Sequence, residues 1–149
     1  MIEPGPKNGE LTHSQRQIWV GQKLYPGNPL YNMAFAFVFS AELDEDVFCQ
    51  AWDRVARASD ALRTRVQEVK GADPRWVLGE EPPRTSVLDL SRESDGDEAF
   101  RSWCRERCAV PLALDGALVD SALVRLGGGR TGWYLNQHHL VTDAWSTLL

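Results

Sequence analysis

Apolar positions recur every three to four residues in three segments of the chain, which predicts three helices. The first begins with a capping box, because Thr12 stands three residues before Gln15, and it ends before the turn-forming residues 25–29. The second has one apolar stripe that is expected to pack on a sheet, made of Phe48, Trp52, Val55 and Leu62. The predicted helices span residues 12–24, from Asp44 or Asp46 to about Arg63, and 97–109.

Alternation with a period of two predicts strands between and after these helices. Residues 31–39 carry large apolar side chains on one face and Ala or Val on the other. Because both faces are apolar, we expect this strand to be covered on both sides. The other predicted strands span residues 64–69, 76–78, 85–90, 118–126 and from Trp133 to about His139.

The order of these elements predicts the α/β class, with a mixed sheet packed against helices. Residues 1–10 contain two Pro and two Gly without periodicity, which predicts a flexible N-terminal tail. The glycine-rich residues 127–132 predict a hairpin loop and not a phosphate-binding loop, because no Lys-Ser or Lys-Thr follows them. Residues 143–149 have the pattern of a further helix start.

Composition excludes several classes of protein. The chain has 149 residues, of which 43% are hydrophobic and 25% charged, as in an ordinary globular domain. The net charge of -5 provides no general attraction to nucleic acid. No run of apolar residues is long enough to span a membrane, and the N-terminus lacks the apolar run of a signal peptide. We therefore expect a cytoplasmic location, with neither membrane nor nucleic acid as a partner.

The chain has three cysteines, an odd number that argues against a disulfide framework in the absence of a secretion signal. Cys104 and Cys108 stand four residues apart and could share a helix face. No second pair of soft ligands completes a metal site with them. We expect small buried apolar side chains and no metal.

Residues 136–145 hold the candidate chemistry, because two of the three histidines are adjacent there. Neighbours in a strand point to opposite faces, so His138 and His139 are expected to have different roles. One can face a cavity while the other is held inside the protein. Asp143, four residues after His139, could pair with an arginine or orient a histidine ring.

Other interpretations of the same residues remain open at this point. A histidine pair at a strand end is often a packing or surface feature. A zinc site of two histidines and Asp143 is disfavoured by the opposite strand faces. A Ser-His-Asp triad lacks the Gly-x-Ser-x-Gly elbow.

Three segments together resemble the motifs of condensation domains of nonribosomal peptide synthetases. Residues 138–146, His-His-Leu-Val-Thr-Asp-Ala-Trp-Ser, are similar to the family motif HHxxxDG. Residues 11–19 are similar to its opening motif, a Ser/Thr-x-x-Gln-x-x-x-Trp helix. Residues 57–66 are similar to RHExLRTxF, although Ala58 and Ser59 depart from it. The motifs occur in the family order over almost the whole chain.

The resemblance implies a chloramphenicol acetyltransferase-like lobe over residues 11–149, the N-terminal one of the two that form a condensation domain. The histidine motif then lies in a tunnel between the lobes. Donor and acceptor carrier proteins bring their substrates on phosphopantetheine arms, and no cofactor is bound directly. The acceptor amine attacks the donor thioester and forms an amide. The C-terminal lobe is expected to be missing, so the 149-residue chain alone is expected to be inactive.

The resemblance also implies a role for each residue of the motif. His139 is the expected active-site residue, acting as a base or by positioning the amine. His138 and Asp143 are expected to be structural, with Arg63 the candidate partner of Asp143. Ala144 and Trp145 are candidate tunnel or backbone N–H positions, and Ala144 replaces the motif glycine with an added methyl group.

Two alternatives and one further expectation follow from the same resemblance. A non-catalytic relative that recruits a partner protein would also carry these motifs. An ester-forming acyltransferase of the same superfamily shares HHxxxD. In either case a single lobe should expose the apolar face on which the other lobe docks, which predicts self-association.

Overall fold

Residues 8–143 and 145–146 are described in the computed structural model, and they form a larger and a smaller β-sheet with helices packed on them. The elements with full bounds are β1 (Asn8–Glu10), α1 (His13–Leu24), β2 (Asn32–Phe39), α2 (Glu45–Ala58), α3 (Asp60–Arg63), β3 (Thr64–Gln67), β4 (Arg75–Leu78), β5 (Thr85–Asp89), α4 (Gly96–Cys108), β6 (Val119–Leu126) and β7 (Arg130–His138). None of the described helices is long and apolar enough to cross a lipid bilayer.

The larger sheet has the strand order β2-β7-β6-β5. Its β5 runs parallel to β6, whereas the other neighbouring strands are antiparallel. The smaller sheet has the order β1-β4-β3 and is antiparallel. The prediction of an α/β fold with a mixed sheet packed against helices is therefore confirmed. The strands β3 and β4 form an antiparallel hairpin.

Helices α1 and α2 begin where their predicted caps lie. Gln15 donates its backbone N–H to the Thr12 hydroxyl (3.3 Å) and accepts the Thr12 N–H on its side chain (3.0 Å), which completes the capping box. Asp44 caps α2 through the Val47 N–H (2.9 Å). The second predicted helix is divided, because Ser59 is extended (φ -102°, ψ 114°) and separates α2 from α3.

Two apolar cores cover the faces of the larger sheet. On one face, Phe100 of α4 packs against buried residues of β6 and β7, which are Ala122, Val124, Leu126 and Tyr134. On the other, Trp52 and Ala56 of α2 pack with Val119. The prediction that Val55 belongs to the buried stripe of α2 is wrong. Val55 is 56% exposed, because the helix turns Ala56 inward instead. Cys104 and Cys108 are free thiols packed beside the α4 core.

The prediction of a flexible tail over residues 1–10 is wrong for residues 8–10. Asn8–Glu10 form β1, which pairs with Arg75–Val77 of β4. The strand forms through pairing with a distant segment and needs no apolar alternation of its own. Residues 1–7 lie outside the described part of the chain.

The expectation that β2 is covered on both sides is also wrong. This strand lies at the edge of the larger sheet. The side chains of Phe37 and Val38 are 42% and 51% exposed, and Ala34 and Ala36 are exposed as well. The apolar cores lie mainly over the central strands β6 and β7, so the apolar faces of β2 remain largely uncovered in this chain.

The loop predicted over residues 127–132 is shorter than expected, because β7 already begins at Arg130. Gly128 and Gly129 adopt positive φ values of 72° and 67° in the hairpin turn, a conformation that favours glycine. Gly132 belongs to β7, where a Cβ would lie 2.8 Å from Cζ of Phe100.

Gly132→Ala should therefore lower the free energy of unfolding by about 1–3 kcal/mol. The Phe100 ring is 2% exposed and surrounded by core residues, so it has little room to retreat. Urea unfolding at neutral pH measures the effect. Gly27→Ala is the matched control, because a Cβ there meets no atom within 4 Å. Equal stability of the two variants would contradict the close packing of β7 against α4.

Candidate functional site

The two adjacent histidines at the end of β7 lie on opposite faces, as predicted. His138 is fully buried on the side that also carries Tyr134 and Asn136, whereas His139 is exposed. The register of β7 against β2 extends to His138, which pairs with Asn32. The end of the strand thus presents one histidine to the protein interior and the other to the surface.

The ring of His139 has a defined orientation. Its backbone N–H donates to the Tyr31 carbonyl (2.8 Å), and its Nδ1 lies 2.8 Å from the Thr142 carbonyl oxygen. A carbonyl can only accept, so Nδ1 carries the proton and donates it. In the neutral ring this leaves Nε2 with a lone pair, which can accept a proton or a hydrogen bond. This is the arrangement that a histidine base or positioning group requires.

His138 has the opposite tautomer. Its Nδ1 accepts the Leu140 backbone N–H (3.1 Å), so the proton is on Nε2, which lies 3.4 Å from Oε1 of Gln22. Burial lowers the pKa of His138 to about 4, and the neighbouring His139 adds to the shift. The ring is therefore neutral at physiological pH and braces the backbone on both sides of His139. These contacts support the structural role expected of it.

The loop after His139 is where the three sequence motifs meet. The Leu140 carbonyl accepts a hydrogen bond from Nε2 of Gln15, in the first motif (3.2 Å). The Leu140 side chain is buried in one cluster with Val66, at the end of the second motif, and with Leu114 and Leu118. The motifs are thus parts of a single structure that holds the His139 loop.

Asp143 begins the helical turn that follows the loop. Its Oδ1 accepts the backbone N–H of Ser146 (2.8 Å) and the Ser146 hydroxyl (2.7 Å), as an N-cap residue does. These bonds, more than the nearby His139, lower the pKa of Asp143. The carboxylate therefore stabilises the turn that carries the Thr142 carbonyl and, through it, the His139 ring.

Arg63 contacts the carboxylate of Asp60, whereas Asp143 is its expected partner. Its Nη2 lies 2.7 Å from Oδ1 of Asp60, whereas its buried Nε has no hydrogen-bond partner among the described residues. The pairing of Arg63 with Asp143 stays a prediction. Ala144 lies outside the described residues, and Trp145 is 71% exposed.

Sequence reasoning missed Gln22 and Tyr31, which hold the site from the side of α1 and β2. Gln22 is 5% exposed and lies four residues after Ile18, on the stripe of α1 that faces the protein. A polar residue on a buried helical stripe is the sequence feature that could have identified it. Tyr31 contributes a backbone carbonyl, and a backbone contact leaves no trace in residue type.

The side of the larger sheet that carries His139 also has an aromatic cluster. The Trp133 ring lies 5.2 Å from Phe37, 5.5 Å from Phe48 and 6.3 Å from Trp52, measured between centroids. Phe37 remains partly exposed. The described residues contain no group of three or more His, Cys, Asp or Glu placed to hold a metal ion.

Two bacterial synthases are similar to this chain in sequence. A linear gramicidin synthase protein of Brevibacillus parabrevis is 26% identical over 97% of this chain, which spans 2% of that protein. A dimodular nonribosomal peptide synthase of Bacillus subtilis is 31% identical over 89% of this chain, which spans 6% of that protein.

Solved condensation domains share the fold. A doubly substituted variant of the starter condensation domain of rhizomide synthetase RzmA superposes with a TM-score of 0.89 at 28% identity, over 96% of this chain and 33% of that one. The first condensation domain of the calcium-dependent antibiotic synthetase gives a TM-score of 0.85 at 28% identity, over 94% and 34%. The family model of the condensation domain matches residues 7–149. The chain belongs to the condensation domain family.

Proposed function

We propose that this chain forms the histidine-bearing lobe of a domain that makes amide bonds in nonribosomal peptide synthesis. The observation that carries the proposal is the exposed His139 ring, whose Nδ1 is bound to the Thr142 carbonyl so that Nε2 remains an acceptor. The loop around it is held by residues from all three family motifs.

In the proposed reaction, the amine of the acceptor attacks the thioester carbonyl of the donor. Nε2 of His139 accepts a hydrogen bond from that amine, which positions the nitrogen and can take up its proton. The C–N bond forms, the C–S bond breaks, and the proton passes to the released thiolate of the donor arm. His138 stays neutral and takes no part in the proton transfer.

The proposed partners are a donor and an acceptor carrier protein domain, together with the second lobe of the complete domain. The substrates arrive on phosphopantetheine arms, so the reaction needs no cofactor bound by this chain. The synthetase relatives support this context. The cytoplasmic location expected from the sequence remains a prediction.

The test uses the complete parent domain with both carriers loaded. Under multiple-turnover conditions the domain should transfer the donor acyl group to the acceptor carrier. Intact-protein mass spectrometry detects the transfer as an increase in the mass of the acceptor carrier. A folded domain that binds both carriers but transfers nothing would contradict the proposal and favour the partner-recruiting alternative.

We further propose that the 149-residue chain on its own self-associates through β2. This edge strand exposes Phe37 and Val38, and an uncovered apolar edge is a template for pairing with another copy. Light scattering of the chain should show the molar mass rising with concentration, and Val38→Lys should suppress the rise. Val55→Lys is the matched control, because Val55 is similarly exposed on α2. A monomer at all concentrations would contradict this expectation.

A further inference from the structure

Gln22, outside the residues assigned to the site from the sequence, is connected to the histidine pair by its side-chain amide. It is 5% exposed, and its Nε2 donates to the carbonyls of Tyr25 and Asn28, both at 3.1 Å. With both N–H groups committed to carbonyls, the amide has one orientation, and its oxygen faces Nε2 of His138 at 3.4 Å.

We propose that Gln22 is a positioning residue for the condensation reaction, which anchors the His138 ring and thereby the backbone that presents His139. The inference rests on the proposed function of His139. The tautomer of His138 is specified from two sides, because Oε1 of Gln22 requires a proton on Nε2 while the Leu140 N–H requires a lone pair on Nδ1.

Helix α1 holds the His139 loop at two points along one face. Gln15 binds the Leu140 carbonyl (3.2 Å), and Gln22, seven residues later, binds the His138 ring. Seven residues are close to two helical turns, so both side chains point to the same side of α1. The helix therefore supports residues 138–140 at two points, with His139 between them.

Tyr31 connects the same helix to His139 itself. A Cβ at Gly21 would collide with the Tyr31 hydroxyl, so α1 and Tyr31 are closely packed. The Tyr31 carbonyl accepts the His139 N–H (2.8 Å), and its ring lies 5.8 Å from the His138 ring. Helix α1 is therefore connected to His139 through Tyr31 as well as through the contact of Gln22 with His138.

The first test is spectroscopic and uses the 149-residue chain with ¹⁵N-labelled histidine. Long-range ¹H–¹⁵N correlations should show His138 as the Nε2–H tautomer and His139 as the Nδ1–H tautomer. Gln22→Met, which keeps the length of the side chain but removes the amide, should leave the Nε2–H of His138 without its acceptor and move its ¹H resonance upfield, while the Leu140 N–H keeps the proton on Nε2. Gln17→Met is the matched control, because Gln17 is exposed on the same helix and binds only His13 in the described part of the chain. An unchanged Nε2–H resonance of His138 in Gln22→Met would overturn the proposal.

Gln22→Glu keeps the test informative if Gln22→Met does not fold. It retains an acceptor for His138 and adds a negative charge beside it, so the pKa of His138 should rise. A pH titration of the ring that does not change in this variant would show that residue 22 does not contact His138, and would overturn the proposal.

The second test is kinetic and uses the complete domain with loaded carriers. Gln22→Met should lower kcat about 10- to 100-fold with little change in the KM of the acceptor carrier, because a small displacement of His139 slows the chemical step. Gln17→Met should keep the full rate. Unchanged kcat in Gln22→Met would overturn the positioning role. If the unaltered domain forms no amide, the proposed function fails, whereas the Nε2–H resonance of His138 still tests the contact.

Discussion

Replacing His139 by Ala in the complete domain should lower the rate of amide formation at least about a hundredfold, with little change in melting temperature. His139 is exposed, and its ring makes a single described hydrogen bond, to the Thr142 carbonyl. Losing that bond should cost no more than about 1 kcal/mol of stability. The rate of acyl transfer between loaded carriers and the melting temperature of the same samples measure the two effects.

His138→Ala is the control for this prediction, because it removes the adjacent histidine in the same motif. Its effect should fall on stability first, since His138 is fully buried and binds Leu140 and Gln22. We expect a loss of about 3 kcal/mol or more in the free energy of unfolding, from the cavity and the unpaired Leu140 N–H. A His139→Ala variant that retains the full rate would remove the basis for its assigned role.

Lowering the pH from 7 to 4 should remove about 3 kcal/mol of unfolding free energy through His138 alone. Its pKa is about 4 in the folded chain, against an ordinary value of 6.5. Below pH 6.5 the unfolded chain binds a proton that the folded chain does not, so unfolding becomes easier as the pH falls. The loss from this group is complete near pH 4, where the folded ring also becomes protonated.

The contribution of His138 can be separated from that of the carboxylates. Asp89, Glu98 and Asp143 also have pKa values below their ordinary ones, so their contribution is lost at low pH as well. His138→Asn keeps an acceptor for the Leu140 N–H but cannot titrate. Urea unfolding of both proteins between pH 7 and 4 should show the smaller pH dependence in His138→Asn. Equal slopes would mean that His138 is not buried in its neutral form.

The sequence could predict the parts of this fold that depend on local interactions. The capping box of Thr12 and Gln15 and the alternation that separates His138 from His139 involve neighbouring residues, and the structure confirms both. The strand Asn8–Glu10 could not be predicted in this way, because it forms by pairing with Arg75–Val77. The exposure of Phe37 likewise depends on the position of β2 in the sheet and not on its composition.

In the candidate site, too, local features could be predicted from the sequence and long-range contacts could not. That the two histidines face opposite sides follows from strand geometry, whereas two of the groups that hold them come from distant parts of the chain. Gln22 lies 116 residues before His138, and the Tyr31 contact uses a backbone carbonyl. The Tyr31 contact leaves no trace in residue type, and the position of Gln22 on a buried helical stripe predicts a polar partner without identifying His138. The Thr142 carbonyl is close in sequence, but its bond to Nδ1 depends on the turn begun by Asp143.

The most direct test of the central claim is a single-turnover transfer by the complete domain with two matched acceptor carriers. One carries an amino acid, and the other carries the same residue with a hydroxyl in place of the amine. We predict that the amine acceptor gains the mass of the donor acyl group in an alkali-stable bond, while the hydroxyl acceptor remains unchanged. Transfer to the hydroxyl acceptor alone, or to neither, would contradict an amide-forming condensation domain.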